Sequence, residues 1–386
     1  MRLTGAMVLR DGTLQRDALC ISDGRIAHDA GHEVDLDGYT LLPGIIDMHG
    51  DTFERHIAPR PTAPFPIAMG LASVDRELAA NGVTTAWLAQ GWSWEGGLRG
   101  PDYADKVLAA VDTYCDSALT DMRIQLRVET HMPDTRERLI DTVRRHGVDY
   151  VVFNDHLSEA MQMVTLAPHR LVGWAEREGG TIEVFITRAR EAKDRAGEVP
   201  RHLNALACAF ENLGVICGSH DDPDGETRDM FNALGAHICE FPLRANPAAV
   251  AHAYGDAVVM GAPNVVRGGS QSGNASALSL IERGLCDILV SDYHYPTLHS
   301  AAFALADKGT LSLAKAWEMI STTPARVMKL TDRGTLTPGK RADIVVLNSR
   351  SRQIEATISH GRFAFLSGAL ATRFAQLPAH ARLAAE

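Results

Sequence analysis

The feature that most constrains the fold of this chain is a short apolar run that recurs eight times, each time followed by a helical pattern. The runs begin on average about 35 residues apart, a spacing that fits one strand-plus-helix unit. Strands buried on both faces read as continuous apolar runs, as does ILVSD at 288–292. The predicted strands are Ile45–Asp51, Thr84–Gln90, Ile124–Glu129, Tyr150–His156, Val215–Asp222, Ala236–Pro242, Val258–Asn264 and Asp287–Tyr293.

Eight alternating strands and helices predict an α/β fold, a (β/α)8 barrel of the TIM type over residues 44–337. The two ends differ from this pattern. Residues 1–43 and 338–386 contain short alternating pieces, and the Asp11-Gly12 and Asp23-Gly24 pairs are hairpin turn signals. We therefore expect a small β-domain built from both termini beside the barrel.

Composition excludes several classes of protein. The chain has 386 residues, 45% hydrophobic residues and a net charge of −10. This apolar content is too high for a disordered chain, and no run of roughly 18 apolar residues predicts a membrane span. The acidic balance argues against nucleic acid as a partner. The first residues do not resemble a signal peptide and the six cysteines form no C-x-x-C pair, so we expect a cytoplasmic protein. A homodimer is compatible with the sequence.

Polar side chains stand where five of the predicted strands end. Active sites of (β/α)8 barrels lie at these carboxyl-terminal strand ends. Several imidazoles and carboxylates in one barrel mouth are costly to bury unless they are paired or bind a metal. The set suits Zn²⁺ or Mn²⁺ and is large enough for two ions. The predicted metal ligands are His49, Asp51, Glu129, His156, His220 and Asp292.

The predicted arrangement assigns two ligands to each ion and one carboxylate to both. His49 and Asp51 would hold one ion, and His156 and His220 the other. Glu129 would bridge the two. Paired divalent cations lower the pKa of bound water toward 7, which makes hydroxide available at neutral pH.

A further aspartate, at the end of the eighth strand, completes the predicted chemistry. Asp292 would bind one ion weakly and accept the proton of the water, acting first as general base and then as acid. The sequence leaves open which of Asp221 and Asp222 faces the site.

Two loops beside the predicted mouth carry groups that suit an anionic substrate. The segment after the first strand holds Arg55 and Arg60, and the glycine-rich segment 261–274 holds Arg267 ahead of a predicted helix at about 275–283. Backbone N–H groups of glycine-rich turns and of helix N-termini favour anions, and arginine forks match phosphate oxygens. We therefore expect a small phosphorylated substrate.

Over nearly its whole length the chain resembles the amidohydrolase superfamily of metal-dependent barrels. The matching runs are LPGIIDMH at 42–49, TPAR at 323–326 and GKRAD at 339–343. A narrower set of motifs resembles the phosphonate-metabolism hydrolases of the carbon–phosphorus lyase pathway. These motifs are DTFERH at 51–56, PRP at 59–61, SHDD at 219–222, EFP at 240–242, MGAPNVVRGG at 260–269, SGN at 272–274 and SDY at 291–293.

The resemblance implies a metal-dependent hydrolase of a phosphoric anhydride with two divalent ions, zinc or manganese. The implied reaction is cleavage of alpha-D-ribose 1-methylphosphonate 5-triphosphate at the alpha phosphorus, giving the 5-phosphate and pyrophosphate. The resemblance also implies which residues contact the substrate: Arg55, His56, Arg60, Arg267, Ser272 and Asn274.

Three functions stay open at this point. The segment DHLSEA at 155–160 and Gln271 depart from the pattern of these hydrolases, which leaves the substrate open. A metal-dependent amidohydrolase or deaminase on the same scaffold is the main alternative, because a fold does not determine its chemistry. The third function is that of a non-catalytic barrel that serves as a binding scaffold, which the complete set of predicted ligands disfavours.

Overall fold

The computed structural model describes residues 1–60, 63–166, 171, 175, 181–270 and 273–375, and these residues form three sheets surrounded by helices. The strands, in chain order, are β1 (Arg2–Thr4), β2 (Met7–Arg10), β3 (Thr13–Arg16), β4 (Leu19–Ser22), β5 (Arg25–Ala27), β6 (Glu33–Asp35), β7 (Tyr39–Pro43), β8 (Ile45–Gly50), β9 (Val83–Trp92), β10 (Asp121–Glu129), β11 (Tyr150–Asn154), β12 (Ile216–His220), β13 (Ala236–Glu240), β14 (Ala257–Gly261), β15 (Ile288–Val290), β16 (Ile344–Asn348), β17 (Ile354–Ser359) and β18 (Arg362–Leu366).

The eight strands from β8 to β15 form one parallel sheet in which neighbours along the chain are neighbours in space. The two edges of this sheet meet where Gly50 and Asp292 form an isolated parallel bridge. There the Asp51 N–H donates to the Asp292 carbonyl at 2.9 Å, and the Asp292 N–H donates to the His49 carbonyl at 3.0 Å. The predicted (β/α)8 barrel is confirmed.

The barrel is filled and covered by apolar side chains, as its uninterrupted apolar strands require. Ile46, Trp87, Val152 and Ile288 belong to a buried cluster that fills the interior. Full burial of such a side chain is worth about 1.5–3 kcal/mol, so this packed interior keeps the strand ends in fixed positions. A larger cluster lies between the outer faces of the strands and the helices.

The helices follow the strands of the barrel, as the alternating pattern predicts. Among the described residues, no helix is long and apolar enough to cross a membrane. The helices are α1 (Phe53–Ile57), α2 (Ile67–Ala80), α3 (Pro101–Tyr114), α4 (Arg136–His146), α5 (Leu157–Leu166), α6 (Ile182–Asp194), α7 (Val199–Leu213), α8 (Gly225–Ala233), α9 (Ala245–Tyr254), α10 (Ala262–Arg267), α11 (Ala277–Glu282), α12 (Thr297–Asp307), α13 (Leu313–Glu318), α14 (Thr322–Val327) and α15 (Gly368–Ala375).

The remaining strands come from both ends of the chain and form two sheets. One has the order β18-β17-β16-β7-β2-β3, and the other has the order β5-β4-β1-β6. The two predicted hairpins are present: Asp11 and Gly12 join β2 to β3, Asp23 and Gly24 join β4 to β5, and all four have positive φ. This backbone suits a two-residue turn between twisted strands. The domain boundaries at residues 43 and 338 stay predictions.

The structure shortens several predicted strands at the barrel mouth; the eighth, for example, ends at Val290 instead of Tyr293. The seventh strand ends at Gly261 instead of Asn264, because Pro263 lies in the first turn of α10. Proline fits the first helical turn, where its missing N–H has no partner to lose. The glycine-rich segment therefore begins with a short helix, which ends at Gly268 with φ of +82°. The next predicted helix, at about 275–283, is α11.

Candidate metal centre

Two imidazoles and a carboxylate meet at the ends of β8, β12 and β13. His49, His220 and Glu240 each offer a ligand atom within 4.8 Å of the others. The ring centroids of His49 and His220 are 5.3 Å apart, and the Phe241 ring packs against both. Burial lowers the pKa of His220 to about 4, so its ring is neutral at physiological pH. A neutral imidazole is the form that binds a metal ion.

Glu240 is placed to orient His49 rather than to act as the first ligand. Its Oε2 lies 2.9 Å from His49 Nδ1, and its Oε1 accepts hydrogen bonds from Tyr150 at 2.6 Å and Gln125 at 2.7 Å. With Nδ1 engaged in this way, His49 has its Nε2 left for a cation. Metal-binding histidines are commonly held by such a carboxylate, which also raises the basicity of the ring.

Three aspartates line a cavity of about 240 Å³ beside these imidazoles: Asp51, Asp221 and Asp292. Burial and the neighbouring Asp51 charge raise the pKa of Asp292 to about 7. Asp292 is therefore a carboxylate poised to exchange a proton near neutral pH.

The structure distinguishes the two aspartates that follow β12. Asp221 lines the cavity, and its Oδ2 lies 3.2 Å from His220 Nδ1. Asp222 points into the fold, where it accepts a hydrogen bond from Ser219 at 2.7 Å and pairs with the buried Arg228 at 3.4 Å. Asp222 is thus a structural partner of Arg228.

The backbone at these strand ends adopts an uncommon conformation. Asp221, Phe241 and Asp292 each follow the end of a barrel strand and have φ of +59°, +50° and +55°. A positive φ is costly for a side chain as bulky as phenylalanine and persists only where the surroundings fix it. The turn aims two carboxylates and one aromatic ring at the cavity.

A second group of possible ligands lies at the ends of β9, β10 and β11. Glu95, Glu129 and His156 offer ligand atoms within 4.8 Å of one another. Glu129 Oε1 lies 2.9 Å from His156 Nδ1 and accepts a 2.6 Å hydrogen bond from Asn154. Its Oε2 accepts from the Trp94 indole at 3.2 Å.

The electrostatics of this second group differ from those of the first. Burial by itself lowers the pKa of His156, but the Glu129 and Glu95 carboxylates raise it to about 9. Burial likewise opposes the charge of Glu95, yet His156 and Arg99 lower the pKa of Glu95 to about 2. In this arrangement His156 carries a proton, which a metal ion would have to displace.

One cationic side chain, Arg127, borders both groups. Arg127 lines the 240 Å³ cavity and also the smaller space, of about 10 Å³, beside Glu129 and His156. It precedes Glu129 by two positions on β10, so both side chains point to the same face of the strand. Arg127 is absent from the residues predicted from the sequence, because arginine is neither a metal ligand nor, within a strand, part of a glycine-rich anion-binding loop.

Two of the predicted substrate-binding arginines approach the cavity through one tyrosine. Tyr293 lines the cavity. Arg55 donates a hydrogen bond to the Tyr293 carbonyl, and Arg267 donates to the Tyr293 hydroxyl at 3.2 Å. The loops after β8 and β14 therefore bring positive charge to the same side of the site.

The other predicted substrate-binding residues are placed differently from one another. Asn274 lines the cavity. His56 instead pairs with Glu77 of α2, at 2.5 Å from Nε2 to Oε2. Arg60 is exposed on the segment between α1 and α2. Ser272 lies outside the described residues.

The structure groups the predicted ligands differently from the expected pairing. His220 lies with His49, and His156 lies with Glu129, whereas the sequence analysis assigned His156 and His220 to one ion. Glu240 and Glu95 were not predicted as site residues. Glu240 is the last residue of the sixth barrel strand, so its position at a strand end is a signal that could have identified it. Glu95 lies three residues beyond the end of β9, so a search limited to strand ends would not find it.

The donor set fits a divalent cation. His220 Nδ1 is buried and makes no hydrogen bond of ordinary geometry, its near polar neighbour being Asp221 Oδ2 at 3.2 Å, and a buried polar atom of this kind usually has a reason in a bound ion or water. Imidazole and carboxylate ligands suit Zn²⁺ and Mn²⁺. His49, Asp51, His220 and Asp292 would hold an ion in the larger cavity, and Glu129 and His156 would hold one in the smaller space.

An eight-stranded barrel with His and carboxylate groups at its strand ends defines the class of metal-dependent barrel hydrolases. Residues 40–364 match the model of the Amidohydrolase family, and the chain belongs to this family. The structure is similar to that of N-acetylglucosamine-6-phosphate deacetylase from Pasteurella multocida, with a TM-score of 0.63 and 10% identity over 94% of this chain and 98% of that chain. At this identity the likeness shows the fold alone.

Two curated relatives carry names that differ in chemistry. The chain is 29% identical over 360 residues to alpha-D-ribose 1-methylphosphonate 5-triphosphate diphosphatase of Escherichia coli (strain K12), covering 91% of this chain and 93% of that protein. It is 27% identical over 387 residues to adenine deaminase of Brucella abortus (strain 2308), covering 93% of this chain but 54% of that protein.

Proposed function

We propose that this protein is a metal-dependent diphosphatase that cleaves alpha-D-ribose 1-methylphosphonate 5-triphosphate to the 5-phosphate and pyrophosphate. The observation that carries the proposal is the 29% identity to the Escherichia coli enzyme of that name, which spans nearly the full length of both chains. The arginines around Tyr293 support it, because Arg55 and Arg267 place positive charge beside the cavity. Guanidinium groups bind phosphate oxygens in a fork geometry.

The side chains of the larger cavity divide the work of hydrolysis. A divalent cation, zinc or manganese, would activate water as the nucleophile at neutral pH. Glu240 keeps the His49 ring in one orientation, and Asp292 takes the proton from the attacking water. The new bond forms between the water oxygen and the alpha phosphorus.

The leaving group departs on the other side of that phosphorus. The bond from the alpha phosphorus to the bridging oxygen breaks, and pyrophosphate takes the electron pair. Asp292 then returns its proton to the leaving group or to solvent, which restores the site. Arg55 and Arg267 would hold the charged tail while this exchange takes place.

The direct test is phosphorus NMR of the metal-loaded enzyme with the ribosyl triphosphate in ¹⁸O-labelled water. We expect pyrophosphate and the 5-phosphate as products, with the label in the 5-phosphate because water attacks the alpha phosphorus. A chelator-treated sample is the control. Label in pyrophosphate would place the attack at the beta phosphorus, and no release of pyrophosphate would refute the proposal.

A deaminase is the second candidate, because of the identity to the Brucella abortus adenine deaminase. With the same cation bound, Asp292 would take a proton from the water that adds to the ring carbon and deliver it to the departing amino group, which leaves as ammonia. Incubation of the metal-loaded enzyme with adenine distinguishes the two activities. Ammonia release without any cleavage of the triphosphate would favour this candidate.

Other expectations from the sequence belong to the proposal. We propose two divalent ions, a cytoplasmic location and a small phosphorylated substrate. A homodimer, and the expectation of neither nucleic-acid nor membrane partners, stay predictions.

A further inference from the structure

Arg127 lies between the two ligand groups and has no role yet in the proposed reaction. Arg127 borders His49, His220 and Asp292 on one side and Glu129 and His156 on the other. Its Nε is buried and has no hydrogen-bond partner among the described residues. The side chain as a whole is half-buried, and a guanidinium is always charged in proteins, so Arg127 keeps a positive charge at the edge of both groups.

Several of the carboxylates near Arg127 pair with histidines, while Asp51 and Asp292 line the same cavity as Arg127. Glu129 and Glu95 pair with His156, and Asp221 pairs with His220. A divalent cation bound at this site would draw further on the same carboxylates and would add positive charge beside the guanidinium. Two neighbouring cations of this kind repel each other unless an anion lies between them.

We propose that Arg127 binds an anionic oxygen of the phosphoryl group under attack, from the floor of the barrel mouth. This inference rests on the proposed function and deepens it, because it assigns the group that meets the substrate opposite the rim arginines. The ligand chemistry is a phosphate or phosphonate oxygen. A charge-assisted hydrogen bond to such an oxygen gives the buried Nε–H a partner and offsets the charge of the half-buried guanidinium.

The placement suits a contact that strengthens during the reaction. Arg127 is carried by β10, whose side chains are fixed by the packed barrel, so the donor is positioned before the substrate arrives. Preorganised donors aimed at developing charge stabilise a transition state without reorganisation. Arg55 and Arg267 are exposed residues on the short helices α1 and α10 and would bind the charged tail in both states.

The matched control lies on the same strand. Arg123 shares the face of Arg127 on β10 but sits toward the opposite end of the barrel, where it pairs with Asp121 at 3.1 Å and Asp149 at 2.6 Å. An Arg123→Gln variant removes one arginine from the same strand without touching the metal centre. Differences between the two variants therefore report on position rather than on loss of charge.

The experiment measures binding of inorganic phosphate to metal-loaded protein, with metal content determined on each sample. We expect Arg127→Gln to weaken phosphate binding by about 10- to 100-fold, the range that loss of a charge-assisted hydrogen bond gives. Metal content should stay at the wild-type value. Arg127→Lys should recover part of the affinity, and Arg123→Gln should change it less than about twofold.

A measurement on the wild-type protein keeps the inference testable if Arg127→Gln does not fold. The ¹⁵N resonance of the Arg127 Nε, assigned by its absence from Arg127→Lys, should shift when phosphate is added. No shift, or phosphate affinity unchanged within twofold in a folded Arg127→Gln protein, would overturn the inference. Loss of metal in both Arg127 variants would also overturn it, because Arg127 would then act by positioning the metal ligands and not by binding phosphate.

These outcomes are separable from failure of the proposed function. If the wild-type enzyme cleaves the triphosphate but Arg127→Gln binds phosphate normally, only the present inference fails. If phosphate binding depends on Arg127 but the triphosphate is not cleaved, the substrate assignment fails and the anion site stands.

Discussion

The two ligand groups at the barrel mouth use similar residues in opposite ways. Around His49 and His220 the cavity is open, about 240 Å³, and Glu240 fixes one imidazole from behind. Around Glu129 and His156 the space is about 10 Å³, which is roughly room for a single water molecule, and the ligand atoms already pair with each other. The first half has room for more than an ion, whereas the second does not.

The difference teaches that residue type alone does not define a metal site. Both halves carry histidine and carboxylates, but burial lowers the pKa of His220 to about 4, whereas the carboxylates beside His156 raise its pKa to about 9. His49 lies between these cases, because burial lowers its pKa and the Glu240 carboxylate raises it above the ordinary value. A metal ion binds a neutral imidazole such as His220 more readily than one that must first lose a proton.

The largest expected effect is loss of metal from the open half. His220→Asn should lower the affinity for the first equivalent of Zn²⁺ by about 1,000-fold, beyond the 10- to 100-fold that loss of a supporting partner costs. His156→Asn should change that first equivalent less than tenfold. Titration against a competing chelator, with elemental analysis, measures both. Equal losses in the two variants would erase the distinction between the halves.

A smaller effect on metal affinity is expected when the carboxylates that support the histidines are changed. Glu240→Gln keeps the volume but removes the charge beside His49, and should weaken metal binding by about 10- to 100-fold. Glu95→Gln should weaken it less than about threefold, because His156 keeps Glu129 as a partner. Glu355→Gln, a buried glutamate of the small β-domain, is the control. The same titration serves all three, and a larger loss from Glu95→Gln would reverse our ranking.

The smallest expected effect is a loss of folding stability in acid, and it comes from a residue outside both halves. His202 on α7 is buried, both its ring nitrogens lack partners among the described residues, and burial lowers its pKa to about 4. Below its ordinary pKa near 6.5 the unfolded chain takes up a proton that the folded chain refuses, so the free energy of unfolding falls as pH drops from 6.5 to 4.

This loss should amount to about 2 kcal/mol in the metal-free protein, measured by urea unfolding at pH 7 and pH 4.5. His202→Leu should show a correspondingly smaller fall. The comparison separates acid loss of the fold from acid loss of metal at the two halves. The same pH dependence in both proteins would mean that His202 does not contribute.

The eight barrel strands could be predicted because burial on both faces leaves an unbroken apolar run. The hairpin turns could be predicted because Asp-Gly pairs tolerate positive φ at both positions. The end of β14 could not, because an apolar run continues through Ala262 into α10, and only Pro263 marks the change. The edge of the sheet at which the ligands lie could be predicted from the positions of the strand ends alone.

The pairing of the ligands could not be predicted from strand ends. A strand order places His156 between Glu129 and His220 along the rim, but side-chain reach decides that it meets Glu129 at 2.9 Å. Arg127 was overlooked for a similar reason. Its importance lies in what it lacks, a partner for its Nε, and that is a property of three-dimensional packing.

The bridge between Gly50 and Asp292 has a consequence for the folding of the protein. The peptide unit that joins the first strand to the last also carries the carboxylate proposed as the base. A growing chain would therefore present His49 and His220 long before it could move a proton. In the proposed reaction, proton transfer would therefore begin only after the last barrel strand docks against the first.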